Sequence, residues 1–196
     1  TTHIVGDKWT PRGALGASVA VGDLNGDGYA DVIVGAPLAG LPGRDASGIT
    51  YILYGSPQAT AVTMVDLGNP PGTYGEVRIL GGRAGDQLGA ALACGDVNGD
   101  GYDDLVLGAP GASPSNRVGA GTAFVIYGSA AMPSITDLAL PAGQSGETRI
   151  LGSAPADWYG RSVAAGDMNG DGYADVIVGG YGADPPASLD IGAAAV

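Results

Sequence analysis

The chain has 196 residues, of which 45% are hydrophobic and 14% are charged, a balance that fits a globular domain with a core and excludes a disordered acidic tail. Its formal net charge of −12 disfavours nucleic acid and anionic lipid as partners, because both recognise a basic surface. A single cysteine, Cys94, excludes a disulfide within the chain. No apolar run of about 18 residues is present, so insertion into a membrane is not predicted.

The first part of the chain predicts four short strands, each rich in Val, Ile, Leu or Tyr and bounded by glycine or proline. They fall at about 2–5, 15–22, 31–35 and 49–54. A helical interpretation fails, because the runs are too short and Gly-Ala-Pro after the third run would stop a helix. Four short strands with glycine turns are typical of one blade of a β-propeller, and 37 glycines supply the turns.

The same unit occurs three times without gaps. The segments LGASVAVGDLNGDGYADVIVGAP, LGAALACGDVNGDGYDDLVLGAP and YGRSVAAGDMNGDGYADVIVGGY begin at Leu15, Leu88 and Tyr159. Segments outside this core repeat as well, since EVRILGG from Glu76 matches ETRILGS from Glu147. We therefore predict an all-β fold made of blades of four antiparallel strands.

The repeats divide the chain at about 2–75, 76–146 and 147–196, and together form one propeller segment over 1–196. The third repeat stops inside its last predicted strand, and three blades are fewer than the roughly 4–8 of a closed propeller. Blades at the ends of such a segment would expose sheet edges and apolar faces. We expect the segment to belong to a larger propeller or assembly, completed by other blades, another copy or another subunit.

An acidic loop of the form D-x-N-G-D-G-Y-x-D lies between the second and third predicted strands of each repeat. Calcium takes about 6–8 oxygen ligands, which loop positions 1, 3, 5 and 9 and the main-chain carbonyl at position 7 can largely supply. Glycines at positions 4 and 6 allow the tight curl that such a loop needs. The predicted metal ligands, for about three Ca²⁺ per chain, are Asp23, Asn25, Asp27, Tyr29 and Asp31; Asp96, Asn98, Asp100, Tyr102 and Asp104; and Asp167, Asn169, Asp171, Tyr173 and Asp175.

Other interpretations of these loops were weighed. The all-oxygen ligand set disfavours zinc, copper and iron, and magnesium usually keeps more water than such a loop would leave it. An EF-hand needs a bidentate acid at position 12, where this chain has Val34, Leu107 and Val178. An Asx-rich turn that binds nothing remains the alternative, although three crowded carboxylates without a cation repel one another.

Three elements recur in fixed order in every repeat: an aromatic-Gly or Leu-Gly pair, the acidic loop, and Gly-Ala-Pro. This order resembles the FG-GAP repeat, which forms the β-propeller of integrin α subunits and of similar bacterial surface and secreted proteins. The third repeat departs from the pattern, with Gly179-Gly180-Tyr181 in place of Gly-Ala-Pro. The resemblance implies propeller blades, calcium on the strand-connecting loops, and an extracellular or cell-surface location.

On this basis we expect a non-enzymatic, calcium-binding extracellular module for protein interaction, adhesion or assembly. Two alternatives stay open: a non-catalytic accessory propeller of a larger secreted enzyme of phospholipase or polysaccharide-degrading type, and a subunit of a surface filament. No catalytic residues are predicted, since the single histidine, His3, has no counterpart in the other repeats. Trp9 and Trp158, each before the second strand of its repeat, leave a glycan or protein contact open.

Overall fold

The computed structural model describes residues 3–6, 12–57 and 64–183, together with the backbone of 193–195. Within these ranges the regular secondary structure consists of β-strands and one short 3-10 helix, Pro114–Asn116. The strands are β1 (His3–Val5), β2 (Ser18–Gly22), β3 (Asp31–Ala36), β4 (Ile49–Leu53), β5 (Met64–Asp66), β6 (Val77–Leu80), β7 (Ala91–Gly95), β8 (Asp104–Ala109), β9 (Thr122–Ile126), β10 (Ile135–Asp137), β11 (Glu147–Leu151), β12 (Ser162–Gly166), β13 (Asp175–Gly180) and β14 (Ala193–Ala195).

Three antiparallel blades follow the three repeats. Blade 1 has the strand order β2-β3-β4-β6, and blade 2 has the order β7-β8-β9-β11. Blade 3 contains β12, β13 and β14 among the described residues. Equivalent residues pair in each blade, with Ala20 opposite Ile33, Ala93 opposite Val106, and Ala164 opposite Ile177. The predicted all-β fold with blades of antiparallel strands is confirmed.

The blades are offset by one strand from the predicted grouping. β6 and β11, which begin the next sequence repeat, form the fourth strands of blades 1 and 2. The prediction that 2–5 joins 15–22, 31–35 and 49–54 in one blade was therefore wrong. β1 instead pairs in parallel with β5, as β6 pairs in parallel with β10. The boundaries of a sequence repeat can be drawn at any point along its period. The period alone therefore does not show which strands pair within one blade.

The largest hydrophobic core lies between blades 1 and 2. Ile33 and Ile52 of blade 1 pack in one buried cluster with Leu105 and Phe124 of blade 2. A second cluster joins blade 1 to the sheet of β1 and β5, with Val65 and neighbouring apolar residues buried there. Burial of each large aliphatic side chain contributes roughly 1.5–3 kcal/mol, so contact between blades is a principal source of stability.

Glycine allows the inner strands of neighbouring blades to approach closely. β2 contacts β7, and β7 contacts β12. A Cβ atom on Gly35 would collide with the main-chain oxygen of Gly89, and the same oxygen accepts a hydrogen bond of 2.6 Å from Ser18 Oγ. A Cβ atom on Gly108 would collide with the oxygen of Gly160 in the same way. Packing between blades therefore requires glycine at these two positions, Gly35 in β3 and Gly108 in β8.

Candidate calcium loops

Each acidic loop joins the first two strands of its blade, and the aspartate at position 1 organises the curl. Asp23 accepts the N–H of Asp27 at 3.1 Å and the N–H of Gly28 at 2.8 Å. The equivalent bonds to Asp96 and Asp167 come from the position-6 glycines, both at 2.9 Å. Gly28 has a φ of +84°, in the left-handed region that glycine adopts without a steric penalty.

Positions 3 and 5 interact with each other through their side chains. In the first loop, Asn25 Oδ1 accepts the N–H of Asp27 at 3.0 Å, and Asn25 Nδ2 donates to Asp27 Oδ2 at 3.1 Å. Asp27 Oδ1 also accepts the N–H of Tyr29 at 2.9 Å. The second and third loops repeat this pattern. The side-chain oxygens thus lie on the inside of a tight, solvent-exposed turn.

The aspartate at position 9 holds the base of the loop and is buried in blades 1 and 2. Asp31 accepts the N–H of Leu24 at 2.8 Å and the N–H of Gly55, just after β4, at 2.9 Å. Burial raises the pKa of Asp31 despite these two bonds, and the nearby charges of Asp23 and Asp27 raise it further. Asp104 has the equivalent bonds, and its pKa is raised for the same reasons. A positive charge placed beside this carboxylate would lower its pKa again.

The structure thus places positions 1, 3 and 5 of each loop in one hydrogen-bonded turn, with position 9 at its base. Within the described ranges, however, no three His, Cys, Asp or Glu side chains converge as a group able to hold a metal ion. The donor chemistry fits calcium, since carboxylate, amide and carbonyl oxygens are the ligands that calcium prefers. The assignment of these residues as ligands stays a prediction.

Neighbouring loops contact one another. The ring of Tyr102 covers the first loop so closely that a Cβ atom on Gly26 would lie 2.6 Å from it, and Tyr173 covers Gly99 of the second loop in the same way. Each of these two tyrosine rings thus lies on the loop of the preceding blade. The carboxylate of Asp103 also accepts a hydrogen bond of 2.8 Å from the N–H of Asp23. Every loop has glycine at position 4 and tyrosine at position 7. Their contact joins two different loops, so it can be recognised only once the order of the blades is known.

Two buried ion pairs on the fourth strands were not singled out from the sequence. Arg78 and Glu76 are 2.7 Å apart, and the guanidinium lies 5.5 Å from the centre of the Tyr51 ring. Arg149 and Glu147 repeat the arrangement on blade 2. Burial acts to raise the pKa of Glu76, but the arginine and main-chain N–H donors outweigh it and lower the pKa. The repeated E-x-R segment is the signal that marks these pairs.

The remaining residues of interest have local roles. Trp158 is half-buried and stacks on Tyr181 with ring centroids 5.9 Å apart, whereas Trp9 lies outside the described residues. His3 is exposed on β1. Burial raises the pKa of the Cys94 thiol to about 12. In the described part of the chain, no helix has the length and apolar character needed to cross a membrane.

Antiparallel blades that share packed interfaces, each with an acidic loop between its first two strands, define a repeat protein of the β-propeller class. The FG-GAP repeat model matches residues 15–53, 88–126 and 159–196, which is more than half of the chain. The chain belongs to the FG-GAP repeat family. Each matched segment spans the first three strands of a blade, so the fourth strand lies outside it.

Curated relatives include a phospholipase and integrin alpha subunits. The chain is 33% identical over 177 residues to phosphatidylinositol-glycan-specific phospholipase D of Homo sapiens, a match that covers 86% of the chain and 19% of that protein. It is 32% identical over 183 residues to integrin alpha-IIb of Homo sapiens, covering 88% of the chain and 15% of the integrin. Integrin alpha-PS2 of Drosophila melanogaster is 30% identical over 181 residues, with 87% and 12% covered. The chain thus spans less than a fifth of the length of these relatives.

Proposed function

We propose that this chain is a non-enzymatic, calcium-binding propeller module of an extracellular or cell-surface protein, and that it serves protein interaction, adhesion or assembly. The observation that carries the proposal is the threefold recurrence of one oxygen-rich loop at the same place in each blade. Asp23, Asp96 and Asp167 each organise their loop through bonds to the same main-chain positions. The side chains at positions 1, 3, 5 and 9 bring carboxylate and amide oxygens to the same turn in all three copies, and these are the ligands that calcium prefers.

Calcium in these loops is structural. The ligands of each ion are the oxygens at positions 1, 3, 5, 7 and 9 of its loop. The ion supplies positive charge beside position 9, where burial and neighbouring carboxylates raise the pKa of Asp31 and Asp104. A ligand that binds the folded chain and not the unfolded chain stabilises the fold by mass action. Contact between adjacent loops, through Tyr102 and Tyr173, extends that effect from one blade to the next.

Support for the interaction role comes from the similarity to integrin alpha subunits, which covers 88% of the chain in one case. The net charge of −12 makes nucleic acid an unsuitable partner. Trp158 is half-buried and stacks on Tyr181, so only part of its ring is open to a partner at that loop. The similarity to integrin alpha subunits supports a location outside the cell, where millimolar calcium would fill loops of low affinity.

Calcium titration by calorimetry, with thermal melts in calcium and in EDTA, tests the proposal. We expect about three ions per chain and a melting temperature that falls in EDTA and recovers when calcium is restored. Changing Asp96→Asn should remove one ion, whereas Asp45→Asn, on an exposed loop outside the acidic sites, should remove none. Absence of calcium binding and of any effect of EDTA would contradict the proposal.

A second candidate is the accessory propeller of a larger secreted enzyme, favoured by the similarity to phosphatidylinositol-glycan-specific phospholipase D. The two candidates share the calcium loops and differ in what accompanies the module. Assay of this chain with a phosphatidylinositol-glycan substrate should show no hydrolysis under either candidate. Hydrolysis that survives repeated purification would overturn the non-enzymatic assignment.

A further inference from the structure

The charged residues of the three acidic loops differ only at position 8, which lies between two of the predicted ligand positions. The second loop has Asp103 there, whereas the first has Ala30 and the third has Ala174. Asp103 is half-buried, and its neighbours in the chain are Tyr102 at position 7 and Asp104 at position 9. The last two predicted ligands of the second loop therefore flank a carboxylate that has no counterpart in the other two loops.

Asp103 joins the second loop to the first by two hydrogen bonds. Its N–H donates to the main-chain oxygen of Asp23 at 3.0 Å, and its carboxylate accepts the N–H of Asp23 at 2.8 Å. Asp23 is the position-1 aspartate whose carboxylate organises the curl of the first loop. Both main-chain polar groups of that aspartate are thus held by one residue of the next blade.

A second link joins the bases of the same two loops. Asp104, at position 9 of the second loop, accepts the N–H of Gly128 at 2.9 Å. The next residue, Ser129, donates its N–H to the main-chain oxygen of Leu24 at 2.9 Å. Leu24 in turn donates its N–H at 2.8 Å to Asp31, at position 9 of the first loop. A continuous path of hydrogen bonds and main-chain atoms therefore connects the two position-9 carboxylates.

The second and third loops share only part of this linkage at position 8. Ala174 keeps the main-chain bond, since its N–H donates to the oxygen of Asp96 at 2.7 Å, but its methyl group cannot accept the N–H of Asp96. The tyrosine ring at position 7 covers the preceding loop at both junctions. Both junctions have a described blade on each side. The carboxylate of Asp103 is therefore the feature of position 8 that distinguishes the first junction from the second.

We propose that the first and second loops bind calcium as a coupled pair and that Asp103 is the positioning residue that couples them, a proposal that rests on the calcium sites of the proposed function. When an ion holds the oxygens at positions 7 and 9 of the second loop, the residue between them is held as well, together with its two bonds to Asp23. The first ligand of the first loop is then already ordered. Less conformational entropy is therefore lost when an ion binds to the first loop.

The coupling acts in both directions, because each site must change the affinity of the other by the same factor. Calcium in the first loop orders Asp23 and, through its two hydrogen bonds, Asp103 of the second loop. Couplings between sites are typically about 5–150-fold in affinity, and two hydrogen bonds at a half-buried residue correspond to the lower end of that range. We expect about fivefold between the first and second loops, and less between the second and third.

Calcium titration followed by the amide NMR signals of the position-6 glycines tests the coupling loop by loop. Gly28, Gly101 and Gly172 donate to the position-1 aspartates, so each signal reports on its own loop. We expect the first two loops to fill together with positive cooperativity. Asp96→Asn, which disables the second loop, should raise the calcium concentration that half-fills the first loop by about fivefold. Asp167→Asn, the same change in the third loop, should leave the first loop unchanged.

Substitution of Asp103 separates positioning from simple attraction by its charge. Asp103→Ala introduces the residue that the other two loops have, so the variant should fold. The calcium affinity of its first loop should fall by about fivefold, and adding Asp96→Asn should then have little further effect. Asp103→Asn removes the charge but keeps an oxygen that can accept the N–H of Asp23, so it should retain most of the coupling. An asparagine variant that behaves like the alanine variant would overturn the positioning role.

Ala174→Asp provides the converse test, because it places the same carboxylate at the second junction. The second and third loops of this variant should fill together, and filling that remains independent would contradict the role of the carboxylate. In the unchanged chain, three loops that fill independently, or a first loop that Asp103→Ala does not weaken, would overturn the coupling and leave the proposed function in place. Absence of calcium binding at every loop would overturn both.

Discussion

Leu24 and Met168 occupy the same position in the first and third acidic loops, yet Leu24 is fully buried and Met168 is 63% exposed. The loops have the same spacing, and in both the position-9 aspartate accepts the N–H of this residue at 2.8 Å. Blade 2 covers the first loop, whereas among the described residues no blade covers the third. Burial in this fold is therefore a property of the junction between blades, and the repeat alone does not determine it.

The largest difference in stability should come from truncating equivalent residues on two blades: one on the face of blade 2 that packs on blade 1, and one on the corresponding face of blade 1. Leu105→Ala removes a fully buried side chain between blades 1 and 2, and should lower the free energy of unfolding by about 2–5 kcal/mol. Val32→Ala, at the equivalent position of blade 1, should cost less than about 1 kcal/mol. Urea unfolding at concentrations where the chain is monomeric measures both. Equal losses would show that the difference between the two faces has no energetic consequence.

An added methyl group should also destabilise blade 1 more than blade 3 when it is placed at equivalent glycines. In Gly35→Ala the new Cβ atom would collide with the main-chain oxygen of Gly89, and we expect a loss of about 1–3 kcal/mol. In Gly179→Ala the new atom meets only Ser162 of its own blade, whose hydroxyl can rotate away. Thermal melts of the two variants provide the comparison. A larger loss of stability for Gly179→Ala than for Gly35→Ala would contradict the close approach of Gly35 to Gly89.

The ion pair at the start of β6 has no counterpart on β1, and its contribution to stability should depend on pH. Glu76, immediately before β6, is paired with Arg78, whereas β1 has His3 at the position of the arginine. Since the pKa of Glu76 is lowered in the folded state, its stabilising effect is present above the unfolded pKa near 4.5 and is lost as the pH falls through the lower folded value. Glu76→Gln should cost about 1–2 kcal/mol at pH 7 and progressively less below pH 4. A cost that does not change with pH would assign the effect to packing.

The smallest effect on stability concerns thiols at two equivalent positions, Cys94 and residue 21. These thiols should differ strongly in their reactivity towards alkylating reagents. Burial raises the pKa of Cys94 to about 12, so at pH 8 only about 1 in 10,000 molecules carries the reactive thiolate. Val21→Cys places a thiol at the equivalent, exposed position of blade 1, where an ordinary pKa near 8.5 applies. Alkylation at pH 8 should be at least a thousandfold faster at position 21. Similar rates would mean that Cys94 is not shielded by blade 1.

Much of the fold was predictable because its signals are local. Glycine and proline bound each strand, and the period of 71–73 residues between Asp23, Asp96 and Asp167 predicts three equivalent blades. The strand offset was not predictable from that period, since pairing of β4 with β6 depends on contacts made across a long connection. The cover of Gly26 by Tyr102 was missed because it depends on a residue of the next blade. The Glu76–Arg78 pair is local, and the repeated E-x-R segment could have indicated it.

The sequence by itself determined the repeat, the strands, the family and the oxygen-rich composition of the loops, because all of these depend on residues close together in the chain. Only the tertiary structure decided which copy of each residue is buried, because a blade face is covered or exposed according to the blade beside it. Val21 and Cys94 illustrate the distinction, since both sit at the same position of an inner strand and only Cys94 lies against a preceding blade.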